Sequence, residues 1–295
     1  MIFSIIIPSV DNFDFLKFTI QSIKKNSKYN HQIIASVIDE FSKKKHKEFF
    51  SKNNVIEYSN LENKGFCTSV NNCLKLATKK YIVLSDDDMY FLPDWDVNLI
   101  SEIKKIPHDN FFLSSTMIQN KKYKIRFFTK FSKKYPNHIY FDGGDSLEDF
   151  NESKLLKFYK DLKFQDWNGT HHTPCVLSRD IFCNVGGLSE EFNPASGSDP
   201  DLCMKLWNSD VRIFKGVSNS RVYHFGSKTT RRGNITMNNG HKTFLIKWGI
   251  TLDFFIQYYL RRGTPFKGEL FINKNLIYYI DLFLCKLKFF FVRYF

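Results

Sequence analysis

Tyr81-Ile82-Val83-Leu84-Ser85-Asp86-Asp87-Asp88 joins four apolar residues to three consecutive carboxylates. A short apolar run of this kind reads as a strand buried on both faces, and the carboxylates fall where it leaves the sheet. Three adjacent acids repel one another unless a cation sits among them. Mg2+ and Mn2+ suit that role, because they take oxygen ligands, bind through one or two carboxylates and keep positions open for substrate phosphates. Along extended chain Asp86 and Asp88 point to one side and Asp87 to the other, so the D-x-D pair can serve one metal-diphosphate. The alternative is a solvated acidic turn.

Upstream, strands and helices alternate. Met1–Pro8 reads as a first buried strand, ended by Pro8. Phe13, Leu16, Ile20 and Ile23 line one face of a helix over residues 13–26. Ile33–Ile38 is a second strand with Asp39 at its C-terminal end, and Val55–Tyr58 a short third. After Asn63-Lys64-Gly65, a helix with Phe66, Val70, Leu74 and Ala77 on one face leads into the strand at Tyr81. Short connections of this sort give right-handed βαβ crossovers and a parallel sheet, whose ligand crevice lies at the C-terminal strand ends. Asp39 and Asp86–Asp88 both fall on that edge, where loops carry sites and strand interiors carry cores.

Downstream the pattern loosens. Phe111–Ser115 reads as a strand, Gly143-Gly144 as a turn and Leu147–Leu162 as a mixed helix. Cys175–Leu177 is a strand, Ser178 an N-cap, and the helix over 179–185 stops at Gly186-Gly187. A short helix over 201–208 follows, and two further strands are expected at Val211–Phe214 and Arg221–Tyr223.

The chain has 295 residues, 43% of them hydrophobic and 25% charged, which excludes disordered, fibrous and solenoid classes. The net charge of +13 favours anionic partners. Six cysteines show no C-x-x-C pair, so reduced thiols in a cytoplasmic setting are expected and no disulfide or structural zinc. The N-terminal apolar run lacks a basic region before it and meets Pro8 too early for a signal peptide. Residues 240–295 carry nine Lys/Arg against three Asp/Glu. Within them Leu276–Phe295 is aromatic and apolar but interrupted by Asp281, Lys286, Lys288 and Arg293. A spanning helix would bury two or three of these at roughly 2.5–3.5 kcal/mol each, so a transmembrane reading is rejected. Two readings stay open: a helix lying on an anionic membrane surface, or one packed on the domain.

The run Tyr81–Asp88 followed by Leu92-Pro93-Asp94-Trp95 resembles the donor-binding segment of family 2 glycosyltransferases with the GT-A fold. Ser4–Pro8 is similar to that family's first strand, and Asn63-Lys64-Gly65-Phe66 with Asn71 to its N-x-G-F…N stretch. Arg179–Phe182, Val185–Phe192, Ser198-Asp199-Pro200-Asp201-Leu202 and Val222-Tyr223-His224 follow the order of its acceptor-side motifs, so the resemblance spans residues 2–226. It implies an α/β, Rossmann-like, mainly parallel sheet flanked by helices, with a donor-binding half over 1–106, an acceptor-binding and catalytic half over 107–239, and a basic aromatic helical extension over 240–295. It implies nucleotide-sugar contacts from Pro8, Asp39, Asn63, Gly65, Asp86 and Asp87, with Asp39 on the base. Asp88 and His224 would hold Mn2+ or Mg2+, and Asp199 would be the general base, with Asp201 next in line. The chain departs from the family at Ser198, where a Glu is usual, and at Ser9-Val10-Asp11-Asn12. From the residues alone, Asp39 also reads as a turn residue, Asp199 as an N-cap before Pro200, and His224 as a structural histidine. His171-His172 reads as a loop pair or an acceptor contact.

The implied reaction is metal-dependent, inverting transfer of a hexosyl group from a nucleotide-diphosphate sugar, with a bias to UDP-sugars, onto a saccharide or lipid-linked acceptor. The expected setting is cytoplasmic, and peripheral on the inner face of a membrane under the first of the two readings of the tail. A nucleotidyltransferase is the rival enzyme, but it needs a glycine-rich basic loop after the first strand, and Pro8–Asn12 has no glycine and carries an acid. A basic nucleic-acid-binding module is the rival from another class. Strand-end carboxylates would repel a phosphate backbone, so no nucleic acid is expected.

Overall fold

The computed structural model describes residues 2–38, 43–59, 63–120, 138–226 and 238–294. Its first half is the expected alternation: β1 (Phe3–Val10), α1 (Phe13–Asn26), β2 (Gln32–Ile38), α2 (Lys43–Asn53), β3 (Val55–Ser59), α3 (Phe66–Leu74) and β4 (Tyr81–Leu84). β1 pairs in parallel with β2 on one side and β4 on the other. It runs two residues beyond Pro8, where the sequence reading ended it. The Ile6 carbonyl accepts from Ser85 N at 3.0 Å, on the β4 side, and Pro8 faces that same side after β4 has finished. Its missing N–H therefore costs no ladder bond.

After β4 the chain turns through the three aspartates into β5 (Met89–Phe91) and α4 (Trp95–Lys105). Then come β6 (Phe111–Gln119), β7 (His138–Tyr140), α5 (Glu152–Lys160), β8 (Trp167–Asn168), β9 (Cys175–Ser178), α6 (Arg179–Asn184), α7 (Ser198–Asn208) and β10 (Ile213–His224). The sheet, ten strands among the described residues, is ordered β3-β2-β1-β4-β9-β6-β10-β5, with β7 beside β6 and β8 beside β10. β9 lies antiparallel between β4 and β6, and β6 runs parallel to β10.

Three other elements also differ from the sequence reading. The two strands expected at 211–214 and 221–223 are one, β10, because a register shift between Val217 and Arg221 takes up the polar Ser218-Asn219-Ser220 without ending the ladder. The mixed helix is confined to α5, since the Asn151 side chain accepts from Lys154 N and starts it there, while Asp149 closes the preceding turn by accepting from Ser146 N at 2.6 Å. α7 begins at Ser198 and not Asp201, because Gly197 takes the left-handed cap position at φ 89°.

One face of the sheet is covered by α1 and α4 through Leu16, Ile20, Ile23, Leu99 and Ile103. The other is covered by α3, α6 and α7 through Val70, Phe182, Leu202 and Leu206. The C-terminal residues join this second core. α8 (Gly240–Trp248), α9 (Leu252–Phe254), a π-helical stretch over Phe255–Leu260 and α10 (Leu276–Tyr294) contribute Phe244, Phe254, Phe255, Leu260, Tyr278 and Cys285. α10 packs on the domain along one face, and most of the rest of it is exposed. Among the described residues no helix is long and apolar enough to cross a membrane. All six cysteines are free thiols.

Candidate active site

β4 delivers Asp86, Asp87 and Asp88 to the C-terminal edge of the parallel strands. Asp87 turns back into the protein, away from Asp86 and Asp88. Ser9 Oγ donates to its Oδ2 at 2.6 Å and Thr19 Oγ1 to its backbone carbonyl at 2.7 Å. Burial, followed by the charge of Asp88, pushes the Asp87 carboxyl up to about 8. In this structure Asp87 braces the triplet against β1 and α1.

Asp86 and Asp88 face the other way, toward His224 at the end of β10. His224 Nε2 lies 3.1 Å from Asp88 Oδ1 and 3.9 Å from Asp86 Oδ2. The three ligand atoms all lie within 4.8 Å of one another. The meeting is made by β5, which pairs antiparallel with β10 so that Met89 faces His224, and by Phe225 N, which donates to the Asp88 carbonyl at 3.0 Å. Thr173 Oγ1 donates to Asp86 Oδ2 at 2.7 Å, and the Gln119 amide lies 2.9 Å from His224 Nδ1. This contact fixes the orientation of the imidazole ring beside the two carboxylates. Burial raises the Asp86 pKa; the His224 charge opposes it and that of Asp88 adds to it. Two carboxylate oxygens and an imidazole nitrogen, crowded and partly desolvated, fit Mn2+ or Mg2+.

Asp199 lies in the first turn of α7, and its alternative as an N-cap is overturned, because the cap residue is Gly197. Burial and then the charge of Asp86 lift its carboxyl to about 7, well above the pKa near 4 of a free aspartate. Asp199, from the far half of the chain, thus feels the charge of the carboxylate edge. Asp201 is fully buried and already engaged: its Oδ1 accepts from Trp248 Nε1 and from Lys247 Nζ, both at 2.9 Å. It serves to dock α8.

The N-x-G-F…N stretch joins the two halves of the fold. Asn63 Oδ1 accepts from Gly65 N at 3.0 Å, and Gly65 sits at φ 88°, where a Cβ would come within 2.3 Å of Asn193 Oδ1. Asn193 caps α3 from outside, accepting from Cys67 N at 3.0 Å and donating to Thr68 Oγ1 at 2.9 Å. Asn71 and Leu188 exchange two hydrogen bonds, each 2.8 Å. Pro8 lies near the end of β1 and Asp39 lies outside the described residues. His171 accepts from Arg262 Nη1 at 3.4 Å while its Nδ1 lies 3.1 Å from the Gly169 carbonyl, and burial, then Arg262, lowers its pKa to about 3. His172 stacks on Trp167.

Sequence reasoning does not find Thr173, Gln119, Ser9 or Asn193. Each is a short polar residue in a loop or at a strand end, with no spacing to mark it.

The family model Glycosyl transferase family 2 matches residues 4–185. No curated protein matches the sequence. Among solved structures, S. aureus TarS is similar over 76% of this chain and 36% of its own, at 14% identity and a TM-score of 0.53. Residues 1–349 of TarS in complex with UDP-GlcNAc are similar over 77% of this chain and 61% of theirs, at 13% identity and a TM-score of 0.54. The mannosyltransferase PcManGT from Pyrobaculum calidifontis, in complex with GDP-Man and Mn2+, is similar over 83% of this chain and 59% of its own, at 12% identity and a TM-score of 0.51. The chain therefore spans between about a third and three fifths of these neighbours and shares their GT-A fold. With the family model covering more than half of its length, the carboxylate edge included, the chain belongs to glycosyl transferase family 2.

Proposed function

We propose that this chain transfers a hexosyl group from a nucleotide-diphosphate sugar to the hydroxyl of a saccharide or lipid-linked saccharide, with metal dependence and inversion at the anomeric carbon. The observation that carries the proposal is the convergence of Asp86, Asp88 and His224 within 4.8 Å, with Asp199 coupled to the same edge. Asp86, Asp88 and His224 would hold the divalent cation, which when bound neutralises the charge growing on the leaving diphosphate. The chain's own residues do the rest. Thr173 and Gln119 fix the ligands in place, Ser9 holds the Asp87 carboxylate and Thr19 its backbone carbonyl, and Asp199 accepts the acceptor's proton as its oxygen attacks. A base with a pKa near 7 suits this work, because a large share of it is ionised at neutral pH, about half, and it still holds a proton well. One in-line displacement inverts the centre and needs no covalent nucleophile.

The neighbours bound to UDP-GlcNAc and to GDP-Man with Mn2+ support a hexosyl donor and a divalent ion, and the bias to UDP comes from the family resemblance. Reduced thiols fit a protein working in the cytoplasm. Thermal-shift measurements against nucleotide sugars and free nucleotides, with and without Mn2+, test the reading. A ligand at 100 times its Kd adds about 2.7 kcal/mol of apparent stability. The expected result is a shift that needs the nucleotide sugar and the cation together; no shift with any donor rejects it.

A further inference from the structure

α10 is fastened along one face and bare along the rest. Tyr258 Oη donates to Asp281, Thr251 Oγ1 lies 3.4 Å from Cys285 Sγ, and the Tyr278 ring packs with centroids 5.2 Å apart against both Phe254, tilted, and Tyr258, edge-on. Opposite this seam stand Ile280, Phe283, Leu284, Leu287, Phe290 and Phe291, between 40% and 61% exposed. A fixed helix with this much aromatic and aliphatic surface turned outward is unusual for a protein left in water.

The basic residues say what covers it. At about 100° per residue, Lys286 and Arg293 stand some 60–80° to one side of Tyr278 and Lys288 about 80° to the other. All three are exposed, so the outward apolar arc is edged by cations on both sides. The only acid in the helix sequence, Asp281, points to Tyr258. A second copy of the chain laid face to face would set cationic edges against cationic edges, since a two-fold contact is self-complementary. An anionic bilayer answers both features: its acyl boundary takes the aromatic arc and its headgroups take the lysines and arginine.

We propose that α10 is a rigid membrane-surface anchor, held to the enzyme by its inner face and seated in an anionic lipid surface by its outer one. The helix is about 28 Å long, enough to set the orientation of the whole domain and not merely tether it. This goes beyond the reaction assigned above and does not depend on it.

Deleting α10 would open the core at Tyr278 and Cys285, so substitutions on the outer face make the cleaner test. The full chain is sedimented with vesicles of phosphatidylcholine alone and of phosphatidylcholine with phosphatidylglycerol. Binding is expected only to the second and should weaken as salt is raised. Ile280→Glu with Leu287→Glu should abolish it, with the thermal unfolding midpoint and nucleotide-sugar affinity unchanged. Lys286→Gln, Lys288→Gln and Arg293→Gln should each lower the partition coefficient about fivefold; these also carry the test if the double variant does not fold. Absence of vesicle binding, equal binding to neutral vesicles, or a dimer in analytical ultracentrifugation that the double variant dissolves while vesicles are ignored would each overturn the anchor.

Discussion

Asp86, Asp87 and Asp88 share one chemistry and differ only in direction. In the turn that follows Leu84, Asp88 faces His224 while Asp87 turns back to Ser9. Asp88→Asn should therefore weaken Mn2+-dependent nucleotide binding by at least about tenfold in calorimetry. Asp87→Asn should leave that binding nearly intact, because Asn still accepts from Ser9; equal losses would reject the division of roles. At Asp199 the expected outcome is kinetic. Asp199→Asn should keep nucleotide-sugar affinity and lower transfer by about 10²–10⁴-fold, measured under saturating donor. The protonated carboxyl cannot accept a proton, so the rate falls as pH drops through the carboxyl's pKa, about 7 in the free protein. A cation on Asp86 offsets the like-charge part of that shift and moves the limb lower. The Asn variant should lack the limb altogether.

Among the elements, α3 and α4 show how local sequence signals are finished by distant partners. Gly65 is required by its φ of 88° and by Asn193, whose side chain fills the space a Cβ would need. Gly65→Ala should cost about 2–4 kcal/mol in urea unfolding. In the Gly65→Ala, Asn193→Ala pair the steric part is relieved, so the cost should fall below the sum of the single losses. α4 is tied to the loop after α1 by Asp96, which is fully buried and accepts from Lys28 N, Tyr29 N and His31 Nε2 at 3.0–3.1 Å. Burial pushes this carboxyl up, but the hydrogen bonds from His31, Tyr29 and Lys28 outweigh it and hold the pKa below the ordinary value. A depressed carboxyl stabilises the fold above the unfolded pKa of about 3.9 and loses that contribution as pH falls through its lower folded value. Asp96→Ala should cost about 3 kcal/mol at pH 7, and the gap to the parent protein should narrow steadily below pH 4.

For the whole molecule, the sheet and the C-terminal helices share one interior. Phe244, Phe254, Phe255 and Leu260 lie in the same core as Phe182 and Leu202, and Asp201 takes its cation from Lys247. A chain ended after Asn239 should accordingly fail to fold cooperatively in a circular-dichroism melt, since it exposes that core and leaves Asp201 buried without its cation. The sequence by itself determined the βαβ order of the first half, the parallel strands and the carboxylates at their edge, because hydrophobic period and strand-end position are local properties written in neighbouring residues. It also carried, through motif resemblance, the residue types at Asp199 and His224. What only the tertiary structure decided is which of these groups meet. His224 reaches Asp88 because β5 folds back along β10, Asp199 enters a helical turn because Gly197 caps it, and Asp201 is withdrawn because α8 claims it. Likewise α10 packs and exposes faces at once because Phe254 and Tyr258 are there to receive Tyr278. Contacts between residues more than a hundred positions apart depend on strand order, register and bulges, and no periodicity along the chain encodes them.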